Sequence, residues 1–332
     1  MNYRTLGNTQ LKVSEIAFGS WGIGGFVPGW RSYGPKHDSL SRGALNEAFH
    51  QGITLFDTAN NYGNGHAEEL IGREFAGKRD KVVIATKGGY LNHFPDDGIN
   101  QRFDYKALMD SLMGSLIRLR TNYVDIYQLH NATLAHVADN EPLFKFIEDA
   151  KAAGMIRFVG IAAQSPDEAL RHVVKAAYPF DVLQCNFSLT DQRALDNGLF
   201  EAASRTGIGL MVRSPLVHGF LTGKITPESL LTSAHPSDHR LRFTHETQLR
   251  WLSALEIFNG VFVKGQSCAQ NALLFCLSFP EVSTVITGMN TPSQVVENAG
   301  TSALCHLTKA TIEKIRGQYK AYFADHPVQM NC

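Results

Sequence analysis

Ile53-Thr54-Leu55-Phe56-Asp57, Val82-Val83-Ile84-Ala85-Thr86-Lys87 and Val124-Asp125-Ile126-Tyr127-Gln128-Leu129-His130 are three short apolar runs that each close on an ionisable residue. Runs of this length, rich in Val, Ile and aromatics, read as buried strands, and a helical pattern separates each from the next. In a barrel of parallel strands the strand C-termini converge on one face, where the chemistry sits. An acid, an amine and an imidazole from three strands would then share one mouth, which suits an enzyme.

Five further strands extend the pattern outward: Ile16–Ser20, Phe158–Ala162, Val182–Phe187, Gly209–Arg213 and Thr284–Thr287. Helical periodicity fills the intervals, over Leu40–His50, Ala67–Ala76, Tyr105–Arg118, Glu141–Ala153, Pro166–Ala176, Gln192–Arg205, Thr247–Val263 and Ser267–Ser278. Two more helices, Pro292–Asn298 and Lys309–Phe323, follow the last strand. Asp104 and Asp139 are placed as N-caps, Gly154 and Gly207 as C-caps. Strict strand–helix alternation calls for parallel pairing through right-handed crossovers, and eight repeats call for closure. The expected fold is α/β: a (β/α)8 TIM barrel of one domain over 1–332. A short N-terminal β-hairpin (Tyr3–Leu6 against Leu11–Val13) precedes it, and extra helices follow.

The 332 residues carry no net charge, no basic stripe and no acidic tail, so a nucleic-acid partner has no electrostatic support. No apolar run approaches the roughly 20 residues that span a bilayer. The start, Met1 to Gly7, lacks the apolar core of a secretory signal. Five cysteines without a C-x-x-C pair fit reduced thiols and a cytoplasmic location rather than a disulfide framework or a zinc site. Three long loops, near 24–38, 88–104 and 222–245, are the natural places for ligand contacts.

Asp57, Tyr62, Lys87 and His130 make a coherent set. Tyr62 lies five residues past Asp57, far enough for its phenol to fold back over the barrel mouth. A phenol titrates near ~10 unperturbed, and a neighbouring ammonium lowers that value. Lys87 supplies the charge, Asp57 holds Lys87, and His130 donates to a substrate oxygen or relays a proton. A phenol tuned in this way suits protonation of an alkoxide as it forms from a carbonyl. Taken singly each has a plainer reading: a solvated Lys, a filler His, a Tyr-Gly turn, an Asp-Thr cap.

The stretch Asp57-Thr58-Ala59-Asn60-Asn61-Tyr62-Gly63-Asn64-Gly65-His66-Ala67-Glu68-Glu69-Leu70-Ile71-Gly72 resembles the signature of the aldo-keto reductase family. So do Ile84–Lys87, Asp125–His130, Ser214-Pro215-Leu216 and Gly219-Phe220-Leu221-Thr222-Gly223-Lys224, in the family's order. The resemblance implies NAD(P)H-dependent carbonyl reduction, or its reverse, on an aldehyde, ketone or sugar, with a tetrad of Asp57, Tyr62, Lys87 and His130. It also implies cofactor contacts at Gly19, Ser20, Trp21 and Asp57, at Gln184 for the carboxamide, and at Phe187 stacked on the nicotinamide. Ser214, Leu216, Gly219, Leu221 and Lys224 would line the pyrophosphate, and Gly288, Gln294, Glu297 and Asn298 the adenosine. Trp21, Tyr62, His130 and Asn131 would meet substrate, with Trp30, Tyr33, Tyr90 and Phe94 as apolar walls.

The chain departs from that pattern at three places. Ala162-Ala163 stand where the family usually carries a Ser-Asn pair for the carboxamide, which leaves Gln184. Asn290 and Gln294 stand where basic residues often meet a 2′-phosphate, so NADPH is the implied cofactor with NADH as the alternative. Arg213 stands where an aromatic is common and is placed against the cofactor phosphates or in a barrel-supporting salt bridge. Two other classes share parts of this pattern. One is a nicotinamide-binding regulatory subunit resembling potassium-channel β subunits. The other is a metal-dependent hydrolase using His235 and His239, for which no strand carries His-x-His. Oligomeric state is not readable from the sequence.

Overall fold

The computed structural model describes residues 1–28, 32–90, 101–175, 178–233 and 235–325. Eight parallel strands form a closed barrel in chain order: β3 (Ile16–Gly19), β4 (Leu55–Asp57), β5 (Val83–Gly88), β6 (Val124–His130), β7 (Ile156–Ala162), β8 (Val182–Asn186), β9 (Gly209–Arg213) and β10 (Val282–Gly288). β10 closes on β3, with Ile286 opposite Ala17 and Gly288 opposite Gly19. β1 (Tyr3–Thr5) and β2 (Lys12–Ser14) form the antiparallel hairpin. The layer around the barrel is α1 (Asp38–His50), α2 (His66–Glu74), α3 (Tyr105–Leu119), α4 (Leu134–Val137), α5 (Glu141–Ala152), α6 (Pro166–Lys175), α7 (Arg193–Asp196), α8 (Leu199–Thr206), α9 (Pro227–Ser233), α10 (His245–Phe258) and α11 (Cys268–Leu277). α12 (Pro292–Gly300) and α13 (Lys309–Tyr322) follow the last strand. This is a (β/α)8 barrel. No described helix is long and apolar enough to cross a membrane.

Strand periodicity divides the barrel interior into two storeys. Ala17, Leu55, Ala85, Ile126, Val182, Met211 and Ile286 form one buried cluster with Leu6, Leu11 and Val13 of the hairpin. The hairpin therefore stoppers the N-terminal end. Two residues further along the same strands, still on the inward side, stand Gly19, Asp57, Lys87, Gln128, Gln184, Arg213 and Gly288. A dry floor thus lies beneath a polar rim. The complementary positions face the helices in a second, larger apolar cluster, with Phe18, Phe56, Ile84 and Tyr127 among them.

The local deviations have local causes. The segment read as one helix over Gln192–Arg205 divides into α7 and α8, because Gly198 adopts a left-handed φ of 81°. Asn140, not Asp139, caps α5: its side chain accepts from the Leu143 N–H, while Asp139 takes a left-handed φ of 51°. Asp104 caps α3 as read, accepting from the Ala107 N–H.

Candidate active site

The ends of β4 and β5 bring Asp57 and Lys87 together. Lys87 is fully buried, and its Nζ donates to Asp57 Oδ2 at 2.6 Å, to the Thr58 carbonyl at 2.8 Å and to the Tyr62 hydroxyl at 3.3 Å. All three ammonium donors are used. The other carboxylate oxygen, Asp57 Oδ1, accepts from Gln184 Nε2 at 2.8 Å and Gln128 Nε2 at 3.2 Å. Lys87 is braced from behind: Thr86 donates to the buried Glu68, which also accepts from Arg118 Nε at 2.7 Å.

Tyr62 is aimed by a glycine. Gly63 takes a φ of 58°, and a Cβ there would lie 2.0 Å from the Gly24 carbonyl oxygen. The backbone after Tyr62 therefore packs directly on the loop that follows β3. The His130 ring, at the end of β6, stands edge-on to Tyr62 (centroids 5.9 Å apart) and to Tyr90 (4.8 Å). Its Nδ1 is buried without a hydrogen-bond partner among the described residues. Burial first, then the charges of Lys87 and Arg213, push its pKa well below the ordinary 6.5, so the ring is neutral at physiological pH.

A cleft of about 400 Å³ opens on this rim. Of the residues expected from the sequence, Gly19, Ser20, Trp21, Asp57, Tyr62, His130, Gln184, Arg213, Ser214, Leu216, Gly219, Lys224, Gly288, Gln294, Glu297 and Asn298 line it. Lys87 lies beneath. Three expectations are corrected. Phe187 is fully buried among Phe200, Phe275 and Phe279, with ring centroids 4.9–5.3 Å away. Val182, Gln184 and Asn186 take the inward side of β8, so the next residue turns to the helix layer. Leu221 is likewise fully buried and is not a wall of the cleft. Asn131 takes a left-handed φ of 51° and is not among the residues lining the cleft; its amide donates to the Tyr90 hydroxyl at 3.0 Å and accepts from Arg213 at 3.4 Å. Tyr33 is a wall, Tyr90 is not, and Trp30 and Phe94 lie outside the described residues.

Two cations of the cleft were not singled out from the sequence. Lys36 and Arg240 stand on the loops after β3 and β9, which are sewn together: the His239 N–H donates to the Ser32 carbonyl at 2.8 Å, and the Tyr33 hydroxyl lies 3.1 Å from His218 Nδ1. Arg240 pairs with Asp238 and lies over the Tyr33 ring. Lys36 has no hydrogen-bond or ion-pair partner among the described residues. Burial first and then the charge of Arg240 lower its pKa, against the pull of Asp238. Only their shared place in the cleft distinguishes these two from other loop cations, and sequence spacing cannot supply that.

The rim fits a dinucleotide. Ser20 Oγ, Thr287 Oγ1 and Asn290 Oδ1 line the cleft as buried polar atoms without hydrogen-bond partners among the described residues. A Cβ on Gly22 would lie 2.2 Å from Asn290 Oδ1, so the wall is close-set there. Val217, His218 and Gly219 take three successive left-handed φ values (48°, 55°, 94°), a strained turn of the kind that clusters at ligand sites. α12 starts at the cleft under the Thr291 cap, and helix N-termini favour phosphate. Lys224 and Glu297 clasp across the opening at 2.9 Å. Among the described residues no three His, Cys, Asp or Glu side chains converge as a metal site. His235 bonds Ser237 Oγ, and His239 packs on Trp21.

Residues 15–320 match the family described as Aldo/keto reductase family. The chain is 32% identical to L-glyceraldehyde 3-phosphate reductase of Escherichia coli (strain K12), over 94% of this chain and 90% of the relative. It is 29% identical to a probable voltage-gated potassium channel subunit beta of Oryza sativa, over 95% of each. Its fold is similar to the holo form of an aldo-keto reductase from Bacillus halodurans, with a TM-score of 0.78 and 24% identity over 98% of this chain and 99% of that one.

Proposed function

The chain belongs to the Aldo/keto reductase family, and on that premise we propose that it reduces an aldehyde, ketone or sugar carbonyl with NADPH or NADH, Tyr62 delivering the proton. One observation carries the reading: a single buried ammonium bridges the Asp57 carboxylate and the Tyr62 hydroxyl on the barrel rim, with a neutral imidazole beside the phenol.

The nicotinamide supplies the hydride when bound. The rest of the chemistry falls to the chain. The Lys87 ammonium stabilises the phenolate that Tyr62 becomes on giving up its proton. Asp57, pinned by Gln128 and Gln184, keeps Lys87 charged and in place. Neutral His130 offers one N–H to the substrate oxygen and does not compete as an acid. Gln184 and Asp57 stand where the carboxamide would be held, and Ser20, Ser214, Thr287, Asn290 and Gln294 offer polar groups along the rest of the cofactor.

Lys36, beside Arg240 and without an ion-pair partner among the described residues, favours a carbonyl compound bearing an anionic group such as a phosphate. The name of the Escherichia coli relative is in keeping with that class.

The test is Tyr62→Phe. Turnover on an aldehyde panel falls by about 10²–10⁴, while cofactor binding, read by fluorescence titration, stays within twofold of the unaltered protein (about 0.4 kcal/mol at most). Unchanged turnover removes Tyr62 from the reaction. Cofactor binding with no turnover of the unaltered protein on any carbonyl would favour a regulatory role instead.

A further inference from the structure

Arg213, the last residue of β9, is 7% exposed and lines the cleft. Neutral oxygens hold it: Nε donates to Asn186 Oδ1 at 2.9 Å, and one terminal nitrogen donates to the Ala163 carbonyl at 2.9 Å and to Asn131 Oδ1 at 3.4 Å. No carboxylate pairs with it among the described residues. By contrast, Lys87 is matched by Asp57, Lys224 by Glu297 and Arg240 by Asp238. A buried guanidinium without a counter-charge is costly to keep, and its field is weakly screened. It falls on His130, whose ring is adjacent in the site and whose chain neighbour Asn131 shares its amide with Arg213.

We propose that Arg213 makes the cleft discriminate between the two redox states of the nicotinamide, holding the reduced ring more tightly than the oxidised one. The inference rests on the cofactor reading above. In the reaction the neutral dihydropyridine gives a hydride, one proton with an electron pair, to the carbonyl carbon. It becomes a pyridinium cation, and the carbonyl oxygen takes its proton from Tyr62 to complete the alcohol. Hydride transfer requires the ring to lie against the carbonyl that Tyr62 and His130 hold, which is the quarter of the cleft where Arg213 is fixed. A fixed cation there raises the free energy of the pyridinium and leaves the neutral ring almost untouched. Two consequences follow in opposite directions. Oxidised cofactor leaves the protein readily, and the ring while bound is a better hydride acceptor than in water, which shifts the internal equilibrium toward the carbonyl compound.

A guanidinium that served the pyrophosphate would behave differently, because both redox forms carry that group. The experiment is therefore a pair of dissociation constants, for reduced and oxidised cofactor, by direct fluorescence titration and by competition. It is run on the unaltered protein and on Arg213→Met, Arg213→Gln and Arg213→Lys, with thermal melting as the check on folding. The unaltered protein is expected to favour the reduced form by at least tenfold. Met and Gln lower that ratio by at least tenfold, about 30 mV in the potential of the bound couple, and Lys keeps it within about threefold. Gln retains a donor for Asn186 and gives the same reading should Met not fold. Equal loss of both forms in Met and Gln assigns the charge to the pyrophosphate and overturns the proposal, as does an unchanged ratio. Failure of the unaltered protein to bind either form would instead sink the cofactor reading beneath it.

Discussion

Lys87 and Asp57 meet at 2.6 Å, Lys87 fully buried at the end of β5 and Asp57 buried but for its edge on the cleft at the end of β4. A buried pair of this kind is costly to half-remove. Lys87→Met leaves the carboxylate with only the two amide donors of Gln128 and Gln184. We expect a loss of about 3–5 kcal/mol in unfolding free energy, measured by urea titration, together with loss of turnover. Lys87→Met with Asp57→Leu is expected to recover much of the stability and none of the activity. Full stability in the single variant would show that the pair is not coupled as described.

The histidines set the acid side of the stability curve. His130 and His218 are held well below the ordinary 6.5: burial is the first cause for both, followed by Lys87 and Arg213 for the one, and by His239 and Arg240 for the other. A group that takes up its proton more readily when unfolded stabilises the fold above its unfolded pKa. That stability is lost as pH falls from 6.5 toward the folded pKa, at up to about 1.4 kcal/mol per pH unit for each ring. Unfolding free energy is therefore expected to rise with pH between 5 and 6.5 and then level. His130→Gln should flatten the rise by about one ring's share. A profile with the same slope in both proteins would contradict the buried neutral ring.

On the proposed function, Lys36 is expected to separate charged from uncharged substrates. Lys36→Met is expected to raise KM for glyceraldehyde 3-phosphate by about tenfold, the worth of one charge-assisted contact. KM for glyceraldehyde should stay within about twofold. The measurement is steady-state kinetics at saturating cofactor, and the cofactor dissociation constant is read beside it. A rise confined to the cofactor constant would place the anion on the nucleotide instead.

The strand ends were readable because run length and period are local properties. Asp57, Lys87 and His130 each close an apolar run, and the period of two that buries Leu55, Ala85 and Ile126 also turns those three residues inward. The same rule, applied one residue further, would have sent Phe187 outward, since Gln184 and Asn186 already take the inner side. Asn131 escaped because a left-handed backbone breaks the alternation just past His130. Lys36 and Arg240 could not be read at all. Their meeting depends on Ser32 joining Ser237 and His239 across more than two hundred residues, and no local pattern encodes that seam. Asp139 gave way to Asn140 at the start of α5, where one residue of backbone rotation decided which side chain faces the free N–H groups.

Floor and rim are alternate residues of the same strands, so the barrel keeps its folding and its chemistry only two positions apart. A lineage can rewrite the upper storey while the lower one goes on closing the interior, trying new reactions on an inherited frame. The rewriting is not free at every position. Where rim residues are bound to each other, as Lys87 is to Asp57, they must change as a set, and so the oldest part of such a site should be the part whose members cannot be exchanged one at a time.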